Sequence, residues 1–133
     1  MMPTLAQYFG SKPHTPEHEA AATELLDRVE KLCMTLAWDW PIDPDTGTSI
    51  SGSRGGAGDG GFRLSTATTG AAMSSHKEAK AVDVFDPSNE LDDLITDALL
   101  TAYGLYREAP ESTLGWCHLT TRAPKSGKRT FTP

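Results

Sequence analysis

Three side chains in this sequence have the types and order that metal chemistry needs. His76 sits in Ser74-Ser75-His76-Lys77-Glu78, Asp83 in Ala81-Val82-Asp83-Val84-Phe85, and His118 in Gly115-Trp116-Cys117-His118-Leu119. Two imidazoles and one carboxylate form a donor set used by catalytic zinc when a fourth position stays open for water. Asp83 is also an odd guest in an otherwise apolar run. A lone buried charge is costly, so it needs a partner, and a cation would serve. The alternatives to a metal are an ion pair from Asp83 to Arg54 or Arg63, and a hydrogen-bonded core histidine at position 118.

The elements around these residues decide whether they meet. Ala81-Val82-Asp83-Val84-Phe85 reads as a strand, short, β-branched and aromatic, stopped by Asp86-Pro87. Trp116 to Thr121 reads as a second, Leu105 to Glu108 as a third, and Thr48 to Gly52 as a short fourth. Alternation puts Asp83 on the face of Ala81 and Phe85, and His118 on the face of Trp116 and Thr120. Neighbouring strands would then set Asp83 beside His118, with the small-residue turn carrying His76 folded back over them. Thr15-Pro16-Glu17 opens a helix over 16–36, with Ala22, Leu25, Leu26, Val29, Leu32, Cys33 and Leu36 on one stripe. A second helix starts at a Ser88 or Asn89 cap, carries Leu91, Leu94, Ile95, Ala98, Leu99 and Ala102, and ends at Gly104. Residues 1–14 read as lead-in, the glycine-dense 52–61 and small, polar 62–72 as loop with a short helix at most, and 124–133 as loop or edge segment. The expectation is one α+β domain over 1–133, with helices packed on a small, mostly antiparallel sheet.

Composition narrows the function classes. The net charge of -6, with Lys125, Lys128 and Arg129 as the one short basic cluster, argues against a nucleic-acid partner. Two cysteines, Cys33 and Cys117, make no disulfide framework and read as buried free thiols. No window has the length of a transmembrane helix, and Met1 to Gly10 lacks the basic start and apolar run of a signal peptide. The expected site of synthesis is therefore a cytoplasm. The glycine run lacks the Gly-Lys-Ser/Thr ending of a phosphate loop, and no Gly-x-Ser-x-Gly elbow is present. His14 and His18 read as surface residues, and Trp38 and Trp40 as core or rim packing.

The segment Ser75-His76-x-x-Ala79-x-Ala81-Val82-Asp83-Val84 resembles the signature of the zinc D-alanyl-D-alanine carboxypeptidase family, which includes phage L-alanyl-D-glutamate endopeptidases. That pattern runs Ser-x-His-x-x-Gly-x-Ala-x-Asp, followed late by Trp-x-His. Ser51-Gly52-Ser53-Arg54 is similar to the family's Ser-Gly-Tyr-Arg, and the ending from Trp116 through Phe131 is similar to small phage-encoded members. The resemblance spans residues 48–120. It implies a hedgehog-like carboxypeptidase fold, zinc as cofactor, and His76, Asp83 and His118 as its ligands. It implies that Arg54 faces the substrate's carboxylate or the attacked carbonyl, and that Ser75 and Trp116 help bind the peptide. Glu108, in Tyr106-Arg107-Glu108-Ala109-Pro110, resembles a Glu-x-Pro stretch of the small phage members and is the expected base or substrate-orienting acid.

Three departures stand beside it. Ala79 replaces the family's Gly, a mild change if the backbone there is not left-handed. Ser53 replaces Tyr, and Gly115 occupies the usual place of the catalytic acid, three residues before the last His. The implied activity is hydrolysis of peptidoglycan stem peptides, at a terminal D-Ala or an L-Ala–D-Glu bond, by a protein acting at the cell wall after release from the host cytoplasm or from a virion. The alternative is a phage structural or assembly protein, with virion proteins as partners, that keeps this fold with a weakened or inactive site.

Overall fold

The computed structural model describes residues 1–52, 60–66 and 74–133. Helix α1 (Leu5–Phe9) opens the chain, held by a capping box in which Thr4 and Gln7 exchange side-chain and backbone hydrogen bonds. One turn of helix is too short to carry a periodic signal, which is why the lead-in reads as loop. It has a structural task all the same: Tyr8 and Phe9 are buried, and the Tyr8 hydroxyl donates to the Ala81 carbonyl at 2.8 Å. Helix α2 (Pro16–Thr35) follows as expected. The Thr15 hydroxyl accepts from the His18 N–H, and His18 Nδ1 accepts from the Thr15 N–H. His18 thus takes the part usually played by Glu or Gln in such a box.

Strands β1 (Ala81–Phe85), β2 (Tyr106–Glu108), β3 (Trp116–Thr120) and β4 (Thr130–Phe131) form one sheet in the order β1-β3-β2-β4. β3 pairs antiparallel with β1 and with β2, while β4 pairs parallel with β2. The sheet is therefore mixed, which corrects the expectation of a mostly antiparallel one. The reason is topological. After β3 the chain reverses and lands beyond β2 rather than beside β3, and a strand antiparallel to β3 is necessarily parallel to β2. The strand expected over Thr48 to Gly52 is reduced to isolated bridges, Asp43 with Thr48 and Ile50 with Val84, laid along the outer edge of β1.

The single helix expected before Gly104 is two, α3 (Glu90–Leu94) and α4 (Asp97–Tyr103). Ile95 is extended, and the Thr96 hydroxyl accepts from the Leu99 N–H at 3.2 Å, so Thr96 starts a new helix. The apolar stripe runs across the break because Leu91, Ile95 and Leu100 all still reach the core. Asn89 makes no capping bond. The buried Asp86 carboxylate instead accepts from the N–H groups of Leu91 and Asp92, both at 3.1 Å.

The two faces of the sheet differ. Val82, Val84, Cys117 and Leu119 join Leu25, Leu26, Val29 and Leu32 of α2 in one hydrophobic cluster, each large apolar side chain contributing about 1.5–3 kcal/mol by its burial. Cys33 and Cys117 are buried free thiols, and Trp38 and Trp40 pack at the margin of the cluster. Among the described residues no helix is long and apolar enough to cross a membrane. The alternating positions, Asp83 and His118 among them, lie on the opposite face.

Asp86 links the end of β1 to the start of α3. Asp86→Ala would leave two buried N–H groups unsatisfied and is expected to destabilise the fold by about 3 kcal/mol, read as a lowered midpoint in urea unfolding at constant slope.

Candidate metal centre

Asp83 and His118 are direct cross-strand partners. The Asp83 N–H donates to the Gly60 carbonyl at 2.7 Å, and its own carbonyl accepts from the Ser51 N–H at 2.8 Å. Both backbone groups of Asp83 thus point away from β3. This makes Asp83–His118 a non-hydrogen-bonded pair of the ladder, the kind in which side chains lie closest. His118 Nδ1 is 2.8 Å from Asp83 Oδ1.

His76 arrives from a 3₁₀ turn, Ser75–Glu78, opened by the Ser74 hydroxyl, which accepts from the His76 N–H at 3.2 Å. The turn closes on Ala79 with φ 59° and ψ 34°. Position 79 is therefore left-handed, so replacing the glycine of the pattern with alanine is not the mild change expected of a right-handed or extended backbone. It costs about 1–2 kcal/mol. The Ala79 side chain is wholly buried, and this burial offsets part of that strain.

The His76 ring sets the electrostatic problem of the site. Its Nδ1 lies 2.9 Å from the Gly61 carbonyl. A carbonyl can only accept, so Nδ1 carries the proton and a neutral His76 presents a bare Nε2. That Nε2 is 3.3 Å from Asp83 Oδ1, the same oxygen that faces His118. A nitrogen lone pair against a carboxylate oxygen calls for a positive charge between them, either a proton or a metal ion. The ligand atoms of His76, Asp83 and His118 all lie within 4.8 Å of one another, with His76 and Asp83 buried. The triad can hold a metal ion.

The segment 60–63 stitches the ligands together. Gly60 accepts from the Asp83 backbone, Gly61 from the His76 ring, and the Arg63 N–H donates to the His76 carbonyl at 3.1 Å. Arg63 also sends its guanidinium to 3.7 Å from Asp83 Oδ2. Both glycines are required by close approach: a Cβ on Gly60 would stand 2.2 Å from the Ser51 carbonyl oxygen, and one on Gly61 2.5 Å from that of Tyr8. The ion pair weighed for Asp83 as an alternative to a metal thus exists alongside the histidines, not in place of them.

Glu108 reaches the same place from β2. β2 and β3 pair at Tyr106 with Thr120 and at Arg107 with Leu119. Continuing that register sets Glu108 across from His118, so Asp83, His118 and Glu108 form a row over three strands on one face. All three line a cavity of about 410 Å³, together with His76, Ser75 and Trp116. Arg63, Phe131, Arg122 and Lys125 also line it.

The charges shape one another. Burial pushes the Asp83 carboxyl up, but the His76 and His118 imidazoles more than reverse this and hold it well below the usual carboxylate range. Burial lowers His118, but its hydrogen bond to Asp83 and the charges of Asp83 and Glu108 leave it raised. Burial raises Glu108, with His118 opposing and Asp83 adding.

Gly115 has a backbone reason for not being an acid. It turns the chain into β3 at φ +95°, donating its N–H to Asn89 Oδ1 at 3.2 Å and accepting from the Asp86 N–H at 3.1 Å. A Cβ would meet nothing within 4 Å, so the left-handed backbone, not space, favours glycine. Arg54 and Ser53 lie outside the described residues. Gly61 and Phe131 had no sequence signal pointing to the site; a glycine that lends its carbonyl to a ring looks like any other loop glycine.

No family model, no curated protein and no solved structure matches this chain. What the site can do rests on its own geometry.

Two outcomes follow. Gly61→Ala must displace the strap of residues 60–63, costing about 1–3 kcal/mol in urea unfolding, and it should weaken metal binding by misdirecting His76. The pH profile should have a plateau. The lowered Asp83 contributes stability above its unfolded value of about 3.9, lost as pH falls through its folded value. The raised His118 contributes below its unfolded value of about 6.5, lost as pH rises through its folded one. Melting temperature in chelator should therefore be highest between about pH 4 and 6.5 and decline above, and Asp83→Asn should flatten the alkaline decline. An unchanged alkaline slope in that variant would refute the coupling.

Proposed function

We propose that this chain is a zinc-dependent peptidase that hydrolyses peptidoglycan stem peptides, of the D-Ala-D-Ala carboxypeptidase or L-Ala-D-Glu endopeptidase type, and that it is phage-encoded. The observation that carries the reading is the row of Asp83, His118 and Glu108 across one sheet face, closed by His76 at the floor of an open cavity. Two imidazoles and a carboxylate suit zinc, and the cavity leaves room for a water and a substrate beside them. The same donor set also serves non-haem iron, so the identity of the metal belongs to the test. The resemblance of 48–120 to the carboxypeptidase pattern supplies the substrate class.

In this reading His76 Nε2, Asp83 Oδ1 and His118 Nδ1 hold the ion. Zinc bound there supplies Lewis acidity to the scissile carbonyl and to the attacking water. Glu108 takes the proton of that water and passes it to the departing amine. Trp116 and Ser75 line the path of the peptide, and Arg54 receives its carboxylate or the carbonyl under attack. The protein is made in the host cytoplasm and meets the wall after release or as part of a virion.

Metal content per chain should be close to one zinc, and digestion of purified peptidoglycan should yield new peptide ends by mass spectrometry. His76→Ala and His118→Ala should lose both metal and turnover. Glu108→Gln should keep the metal and lose about 10²–10⁴-fold in kcat. Zinc without hydrolysis, with stable incorporation into a particle, would instead favour the virion role to which Gly115, at the usual acid position, points. Neither metal nor new ends would end the proposal.

A further inference from the structure

The carboxylate of Asp83 is divided between two environments. Oδ1 faces both imidazoles, at 2.8 Å from His118 Nδ1 and 3.3 Å from His76 Nε2. Oδ2 faces the other way, 3.7 Å from an Arg63 guanidinium nitrogen. The Arg63 side chain is 13% exposed, so the contact is shielded from bulk solvent. It is also placed by the backbone. The Arg63 N–H donates to the His76 carbonyl, two residues after Gly61 orients the His76 ring and three after Gly60 takes the Asp83 N–H.

We propose that Arg63 is a positioning residue of the metal centre, holding Asp83 Oδ2 so that Oδ1 alone is offered to the ion. The inference rests on the metal reading given above and goes beyond it, because neither the ligand set nor the family pattern assigns Arg63 a role. A carboxylate can rotate, present either oxygen or chelate with both. A cation fixed at one oxygen removes that freedom before the metal arrives. Outer contacts of this kind typically account for 10–100-fold in metal affinity.

The sign of the effect makes the idea testable. Arg63 carries a positive charge, and as a mere bystander it would repel a metal cation; removing it would then tighten binding. As an anchor, its removal loosens the carboxylate and weakens binding. At 3.7 Å the contact acts through charge rather than through a short hydrogen bond, so lysine should replace arginine in holding Asp83 Oδ2.

The experiment measures zinc Kd by chelator competition and the visible absorption of the cobalt-substituted protein, using the full chain, with folding checked by circular dichroism. Arg63→Gln should bind zinc about 10–100-fold more weakly and show an altered cobalt spectrum. Arg63→Lys should recover most of the affinity and the wild-type spectrum. Arg63→Met, which keeps the apolar stem, replaces Arg63→Gln if the latter does not fold. Equal or tighter binding in Arg63→Gln with an unchanged spectrum overturns the inference, as does Arg63→Lys binding as weakly as Arg63→Gln. A wild-type chain that binds no metal overturns the metal centre itself, a failure visible before any variant is made.

Discussion

The structure is organised around one buried negative charge. Asp83 sits in the middle of β1, on a strand whose other face is core, and an uncompensated charge there would cost several kcal/mol. Three neighbouring side chains address that cost. His118 comes from the paired strand, His76 from the preceding turn and Arg63 from the strap. The protein-only solution is still imperfect, because His76 spends its Nδ1 proton on the Gly61 carbonyl and turns a lone pair toward Asp83 unless it takes up a second proton. A dication resolves what neutral imidazoles leave unresolved. The same three side chains can therefore hold a metal ion or stand as a buried ion-pair cluster.

Four special backbone positions flank the segments that carry the site. Ala79 is left-handed at the end of the turn that delivers His76, Gly60 and Gly61 admit approaches that no Cβ allows, and Gly115 turns left-handed into the strand that delivers His118. Backbone conformations of this sort persist where surrounding structure over-determines them. Ala79 and Gly115 shape the turns that lead His76 and His118 to the site, while Gly60 and Gly61 let the 60–63 segment lie close against Ser51, Asp83 and Tyr8.

Much of this was legible in residue types and periodicity. Strand alternation was enough to pair Asp83 with His118, and the stripe from Ala22 to Cys33 was enough for α2. The strap of residues 60–63 was legible only in part: Arg63 was one of two arginines weighed as a partner for Asp83, and that contact is present, but the carbonyls that Gly60 and Gly61 lend to Asp83 and His76 leave no mark in residue type. The break at Ile95-Thr96 was hidden for a different reason: apolar spacing reports which face is buried, and that face continues through an interruption of the helix. The mixed sheet was hidden because strand direction depends on where a loop lands, which local sequence does not encode. The left-handed backbone at Ala79 was likewise set by the turn it closes, not by the residue chosen for it.

That last strand matters more than its two residues imply. β2 is only three residues long, and without β4 it would be an open edge carrying Glu108. β4 supplies the missing partner: the Arg107 N–H donates to the Arg129 carbonyl and the Ala109 N–H to that of Phe131, both at 2.7 Å, bracketing Glu108 on either side. Arg107 adds a side-chain bond to the Thr130 hydroxyl and reaches the backbone carbonyl of Asp92 in α3. Phe131, on the same short strand, puts its ring edge-on to His118 with centroids 6.2 Å apart and walls the cavity. A parallel pairing that looks incidental in the topology therefore does two things at once. It fixes the acid in the row of Asp83 and His118, and it closes the apolar side of the space in which that acid would act.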